Sequence, residues 1–192
     1  MGMTMRLFVA IELTDAVRRR LGTLQSQHRD LDSVVRWVRP EQIHLTLKFL
    51  GAVPDAKAAE IVDALTAVAP NHAPFEFAVR GAGCFPARGA PRVFWVGVEE
   101  PTGALERLQA ACEEAMAAIG FPPEGRRYSP HLTLARVKGA RGGGAVRDAA
   151  QSAAGFDGGA QRVGEVVLFE SRLSPQGARH TPVGRAKLGA TE

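Results

Sequence analysis

Cysteine is scarce in this 192-residue chain, at two residues, Cys84 and Cys112. They lie far apart and lack the close spacing of metal ligands, which excludes a disulfide scaffold and a cysteine-built metal centre. Both read as reduced thiols, Cys112 on the apolar face of a helix. No apolar run approaches the ~20 residues of a membrane-spanning helix. The run Leu7 to Ile11 is short and is stopped by Glu12, so it does not read as a signal peptide. Met1-Gly2 is followed by Arg6 where a myristoylation signal has Ser or Thr. The expectation is a cytoplasmic protein without a membrane anchor. No G-x-S-x-G is present. The glycine-rich stretch Gly139 to Gly144 lacks the Gly-Lys-Ser/Thr ending of a nucleotide-binding loop, so it reads as a flexible loop. From Gly125 to Arg147 there is no acidic residue, yet Arg126, Arg127, Arg136, Lys138, Arg141 and Arg147 all fall there. With a net charge of +4, that stretch points to a phosphate-bearing partner.

What the chain does have is one tetrapeptide twice: His44-Leu45-Thr46-Leu47 and His131-Leu132-Thr133-Leu134. Each lies in a short apolar run that reads as a strand. Alternation puts the histidine and threonine on one face and the two leucines on the other, toward a core. A single copy is weak evidence. Two copies in matching contexts are not.

Hydrophobic periodicity supplies the frame. Strands are predicted over Met5 to Leu13, Val34 to Val38, Ile43 to Leu50, Phe75 to Arg80, Val93 to Val98, His131 to Val137, Val163 to Phe169 and His180 to Leu188. Helices are predicted from Asp15 to about Asp30, from Pro54 to Pro70 and from a Thr102 cap to Gly120. Ala145 to Ala154 reads as a poor helix. The glycines and prolines from Gly81 to Pro91 read as a loop. Each motif follows a strand–helix–strand passage, and no composition break divides the chain. The expectation is one α+β domain over residues 1–192, bilobal, with two pseudo-symmetric lobes of antiparallel sheet and helix around a central cleft. No apolar stripe is left over, which favours a monomer.

Two imidazoles across a cleft divide acid from base. One deprotonates the attacking nucleophile while the other protonates the leaving oxygen. The Thr46 and Thr133 hydroxyls can donate to phosphate oxygens. Neither motif has neighbouring carboxylates or further histidines to hold a metal, so neither metal nor cofactor is expected. His28, His72 and His180 read as surface or structural. Five residues after each histidine stand Phe49 and Arg136. Strict alternation turns both away from the histidines, so they reach the cleft only if their strands bulge or end first. Arg136 then binds phosphate, because a buried unpaired arginine is costly. For Phe49 the core is the stronger reading, with stacking on a nucleobase as the alternative.

These motifs resemble those of the two-histidine phosphoesterase superfamily. Within it the chain is most similar to the bacterial and archaeal RNA 2',3'-cyclic phosphodiesterases, also called 2'-5' RNA ligases. The similar stretches are Arg6 to Ile11, His44 to Gly51, Arg92 to Gly97, Pro130 to Arg136 and Ser171 to Pro175. The resemblance implies a bilobal fold and RNA ending in a 2',3'-cyclic phosphate as substrate. It implies hydrolysis of that end to a 2'-phosphate, His44 as proton donor and His131 as proton acceptor. Reversal would join a cyclic-phosphate end to a 5'-hydroxyl. Two rival readings stay open: the same chemistry on small cyclic nucleotides, and a non-catalytic nucleotide- or RNA-binding module.

Overall fold

The structure is a computed structural model that describes residues 4–139, 142–174 and 177–189. Ala140 and Arg141 of the glycine-rich stretch, and Pro175 of the last similar stretch, lie outside the described residues.

The strands are β1 (Thr4–Glu12), β2 (Val35–Trp37), β3 (His44–Pro54), β4 (Phe75–Phe85), β5 (Val93–Glu99), β6 (His131–Val137), β7 (Asp157–Val163), β8 (Glu165–Ser174) and β9 (Gly177–Lys187). The helices are α1 (Asp15–Gln27), α2 (Ala58–Val68), α3 (Ala104–Ala118) and α4 (Gly143–Ser152). All strand pairings among the described residues are antiparallel, in the order β7-β4-β5-β6-β3-β1-β8-β9, with β2 beside β6. The two motif strands, β3 and β6, meet in the middle. They share one rung, Leu45 opposite Leu132. Each then leads outward through three strands, so the sheet has two similar halves.

The lobes do not follow the halves of the sequence. β8 and β9, late in the chain, complete the half that begins with β1 and β3. β4, from the first half of the chain, completes the half of β5 and β6. A crossing connection at each end locks the lobes together, which simple side-by-side repeats would not achieve.

The helices cover one face of the sheet. α1 buries Val17, Leu21 and Leu24, α2 buries Ile61 and Leu65, and α3 buries Leu105, Leu108, Cys112 and Met116. They pack on the inward residues of the motif strands. Leu45, Leu132 and Leu134 are 0% exposed and Leu47 3%. Burying each such side chain stabilises the fold by about 1.5–3 kcal/mol. The other face carries a second, small cluster of Phe8, Ala10, Val167 and Phe169.

Four features of the expected frame need correction. β4 runs on to Phe85, through what reads as a loop, because Gly81 takes φ 68° and absorbs a bulge there. β3 likewise continues past Gly51, at φ 75°. The strand β7 has no hydrophobic signature, since Asp157, Gly158 and Gly159 open it. The cap of α3 is shared: Glu100 Oε2 accepts the Leu105 N–H at 3.0 Å and Thr102 Oγ1 accepts the Ala104 N–H at 3.4 Å.

Candidate active site

The Leu45–Leu132 rung sets the geometry. In antiparallel register it places His44 beside Thr133 and Thr46 beside His131, all four on the face opposite the leucines. All four are half-buried. Each histidine thus meets the threonine of the other copy.

The rings are held in the same way. His44 Nδ1 donates to the Gln42 carbonyl at 2.9 Å, and His131 Nδ1 donates to the Ser129 carbonyl at 2.8 Å. A carbonyl only accepts, so Nδ1 carries the proton in both rings. In the neutral state Nε2 is therefore the free base, and in the charged state it is a donor.

Both strands bulge just after the threonine. In β3, Ala10 faces Thr46 and Val9 faces Lys48, which leaves Leu47 as the extra residue. In β6, Trp95 faces Thr133 and Phe94 faces Ala135, which leaves Leu134 extra. Two consecutive residues therefore point inward in each strand, Leu47 with Lys48 and Leu134 with Ala135, all buried. One extra residue restores parity. Arg136 and Phe49 then stand on the histidine face. Arg136 is exposed, and its charge is felt at His44. Phe49 is 68% exposed, which overturns its core reading. Its ring lies 6.0 Å from that of Phe8.

The inward Lys48 is 5% exposed. Its Nζ donates to Glu113 Oε2 at 2.5 Å and to the Pro122 carbonyl at 2.9 Å. Glu113 Oε2 also accepts the Glu124 N–H at 3.2 Å. The Tyr128 hydroxyl donates to the Thr46 carbonyl at 3.1 Å. These bonds fasten the connector ahead of His131 to the bulged strand of His44.

His180 is the residue that sequence reasoning missed. It comes from β9, where it faces Ser171 of β8, and its ring stands edge-on to His44, centroids 4.8 Å apart. Phe8 at 4.6 Å and Phe169 at 6.2 Å complete the surroundings of His44. The Gln42 side chain accepts the His180 backbone N–H at 2.5 Å, so one residue bonds both the ring of His44 and the main chain of His180. His180 Nδ1 is buried without a partner. Nothing local in the sequence marks His180, because a long-range pairing brings it in. His28 and His72 do not join the site.

The surroundings lower the proton affinity of His44. Burial is the main cause, opposed by the Gln42 carbonyl and reinforced by His180, Arg136 and His131, and it brings the pKa to about 4. His180 is also shifted down, again by burial. His44 is therefore neutral at neutral pH in the free protein.

Of the basic stretch, Lys138 bonds the Asp32 carbonyl and Arg147 the Ala87 and Gly89 carbonyls, so both are structural. Arg126 and Arg127 are exposed. No group of three or more metal-ligating side chains occurs among the described residues. None of the described helices is long and apolar enough to cross a membrane.

A family model described as LigT like Phosphoesterase matches the chain twice, over residues 11–95 and 96–180. Each match contains one motif. An RNA 2',3'-cyclic phosphodiesterase of Methanothermobacter thermautotrophicus is 36% identical over 93% of this chain and 96% of its own. Its namesake from Archaeoglobus fulgidus is 36% identical over 90% of this chain and 94% of its own. Among solved structures, TT0787 of Thermus thermophilus superposes with a TM-score of 0.81 at 29% identity, covering 98% of this chain and 100% of that one. E. coli LigT complexed with 3'-AMP superposes with a TM-score of 0.75 at 26% identity, covering 96% and 98%. A duplicated family match that spans both motifs, with relatives alike over almost their full length, places this chain in the LigT-like phosphoesterase family.

Proposed function

We propose that this protein is an RNA 2',3'-cyclic phosphodiesterase. It hydrolyses the terminal cyclic phosphate to a 2'-phosphate, working as a cytoplasmic monomer and without a metal. The observation that carries this reading is the pair of histidines with matched tautomers, each beside the other copy's threonine. The names of the relatives support the substrate, and the 3'-AMP held by E. coli LigT supports a nucleotide in the cleft.

The cyclic phosphate sits between the two motifs, its non-bridging oxygens taking hydrogen bonds from Thr46 and Thr133. Arg136 adds a cationic fork. His131 Nε2 takes a proton from water as the water oxygen bonds to phosphorus. The bond from phosphorus to the 3'-oxygen breaks, and His44 Nε2–H gives that oxygen its proton. Exchange with solvent resets both rings. The same steps with a 5'-hydroxyl in place of water form a 2'-5' linkage, and their reversal cleaves it.

His44 Nε2 carries no proton to give in the free protein at neutral pH. In this scheme the bound phosphate supplies the negative charge that lifts its proton affinity. A second reading exchanges the two roles, and the low pKa of His44 is the observation that favours it. A neutral His44 is already a base.

The test is to incubate the protein with an oligoribonucleotide ending in a 2',3'-cyclic phosphate, in the presence of a chelator, and to identify the product. A 2'-phosphate end is expected. A 3'-phosphate end, or turnover that only a divalent ion restores, rejects the scheme. Binding without turnover favours a non-catalytic module.

A further inference from the structure

The second motif strand has a neighbour that the chemistry above does not use. β2 runs antiparallel to β6, with Val35 opposite Val137, Arg36 opposite Arg136 and Trp37 opposite Ala135. Val35 and Ala135 are buried, at 1% and 0% exposure. Trp37 packs toward Phe94, ring centroids 6.1 Å apart. Those residues therefore point to the core. Arg36 and Arg136 point the other way, onto the face of His131 and Thr133.

Residues directly opposite in an antiparallel pair have Cβ atoms about 4.5–5.5 Å apart. Two guanidinium stems of like charge thus stand side by side. Both arginines are exposed. Neither joins an ion pair among the described residues. A like-charge pair facing across a ladder is unfavourable, and an anion between or beside the two removes the penalty. Arginine suits that task, since its planar fork takes phosphate oxygens in pairs.

Arg136 lies two pleated positions beyond Thr133, about 7 Å along the strand. Arg36 is one strand further out. A substrate whose cyclic phosphate is gripped by Thr133 and Arg136 has one direction in which to continue. Its 3' end is the cyclic phosphate, so the next phosphate is the diester on the 5' side of the terminal nucleotide. We infer that Arg36 binds that diester and makes the site selective for oligonucleotide ends over mononucleotides. This rests on the cyclic-phosphodiesterase reading and adds a substrate-length preference that the two motifs do not provide.

The experiment compares three substrates: a nucleoside 2',3'-cyclic phosphate with a free 5'-hydroxyl, the same compound with a 5'-phosphate, and a dinucleotide with the same cyclic end. Wild-type protein is expected to prefer the second and third. Arg36→Gln should reduce that preference about tenfold, mainly through KM, and Arg36→Lys should restore part of it. The salt dependence of dinucleotide binding should flatten by about 0.7 in log–log slope, one phosphate contact on a single strand. Binding of a dinucleotide ending in a 3'-phosphate is measured in parallel, because it needs no turnover. An unchanged preference in Arg36→Gln overturns the inference. So does an equal loss on all three substrates, which would place Arg36 at the cyclic phosphate or in the fold. If wild-type protein binds the dinucleotide through Arg36 but turns over none of the three, the cyclic-phosphodiesterase reading has failed and the phosphate contact stands.

Discussion

His44 and His131 stand at equivalent points of two half-sheets, yet their surroundings differ. Both donate Nδ1–H to the carbonyl two residues earlier. Both strands bulge just after the threonine. Around His44, however, stand Phe8, Phe169 and His180. Around His131 stands Phe85, edge-on at 5.0 Å. The difference has a topological cause. In the His44 half, β9 pairs with β8 out to Ser174 and brings His180 up to the motif. In the other half, β7 pairs with β4 from Phe75 only as far as Arg80. The far end of β4 is left open, and His131 keeps no second histidine. One motif placed on two unequal supports puts the two imidazoles in unlike surroundings, and burial lowers the proton affinity of His44.

The largest expected effect comes from removing either ring. His44→Ala and His131→Ala should each reduce kcat by about a thousandfold or more. The double variant should be little worse than either single one, because groups that act as one unit are not additive. Steady-state rates of the three variants check this. A double variant that falls by the product of the two single losses would mean that the two halves act independently.

Smaller losses are expected from the phosphate contacts. Arg136→Ala and Thr133→Ala should each lower kcat about 10–100-fold, below the ~10²–10³ known for single oxyanion donors, because Thr46 remains. Arg136→Ala with full activity would show that the bulge in β6 serves only packing.

The cage around His44 has a consequence for stability. The folded pKa of about 4 lies below the ordinary value of 6.5. Above pH 6.5 neither the folded nor the unfolded state holds the proton. As pH falls from 6.5 toward 4 the unfolded state takes it up first, so stability declines, by up to about 3 kcal/mol. Urea unfolding between pH 7 and 5 keeps the lowered Glu12 carboxyl out of the range, while His180, also shifted down by burial, adds a decline of the same sign. His44→Phe should flatten that part of the curve. An unchanged curve would mean that the surroundings of His44 do not lower its proton affinity.

The smallest effect concerns Phe49, which stands where the other copy has Arg136. Phe49→Ala should raise KM severalfold for a base-bearing substrate with little change in kcat, as loss of one stacking surface does. An unchanged KM would leave Phe49 as an exposed ring without a part in binding.

The two motifs and nearly every element were legible from the sequence, because alternation and helical spacing report burial directly. The bulges were legible only as a conflict: an arginine at an odd position of a strand that ought to bury it. No residue type marks Leu47 or Leu134 as the extra one. His180 and Arg36 were not legible at all. Each enters through a pairing between strands far apart in the chain, β8 with β9 onto β1, and β2 onto β6. Local pattern holds no information about such a register. Gly81 and Gly51 misled for a related reason. A glycine with positive φ ends a strand in some settings and bends it in others, and the partner strand decides which.

The division of labour between the unequal halves is tested most directly by a substrate whose 3'-linked leaving group departs without a proton. Such a substrate makes the general acid dispensable and leaves the need for the base. The rate of His44→Ala on it should rise to near that of the wild-type protein, while His131→Ala stays inactive. Rescue of His131→Ala alone would reverse the two roles, and rescue of both variants or of neither would contradict a matched acid and base.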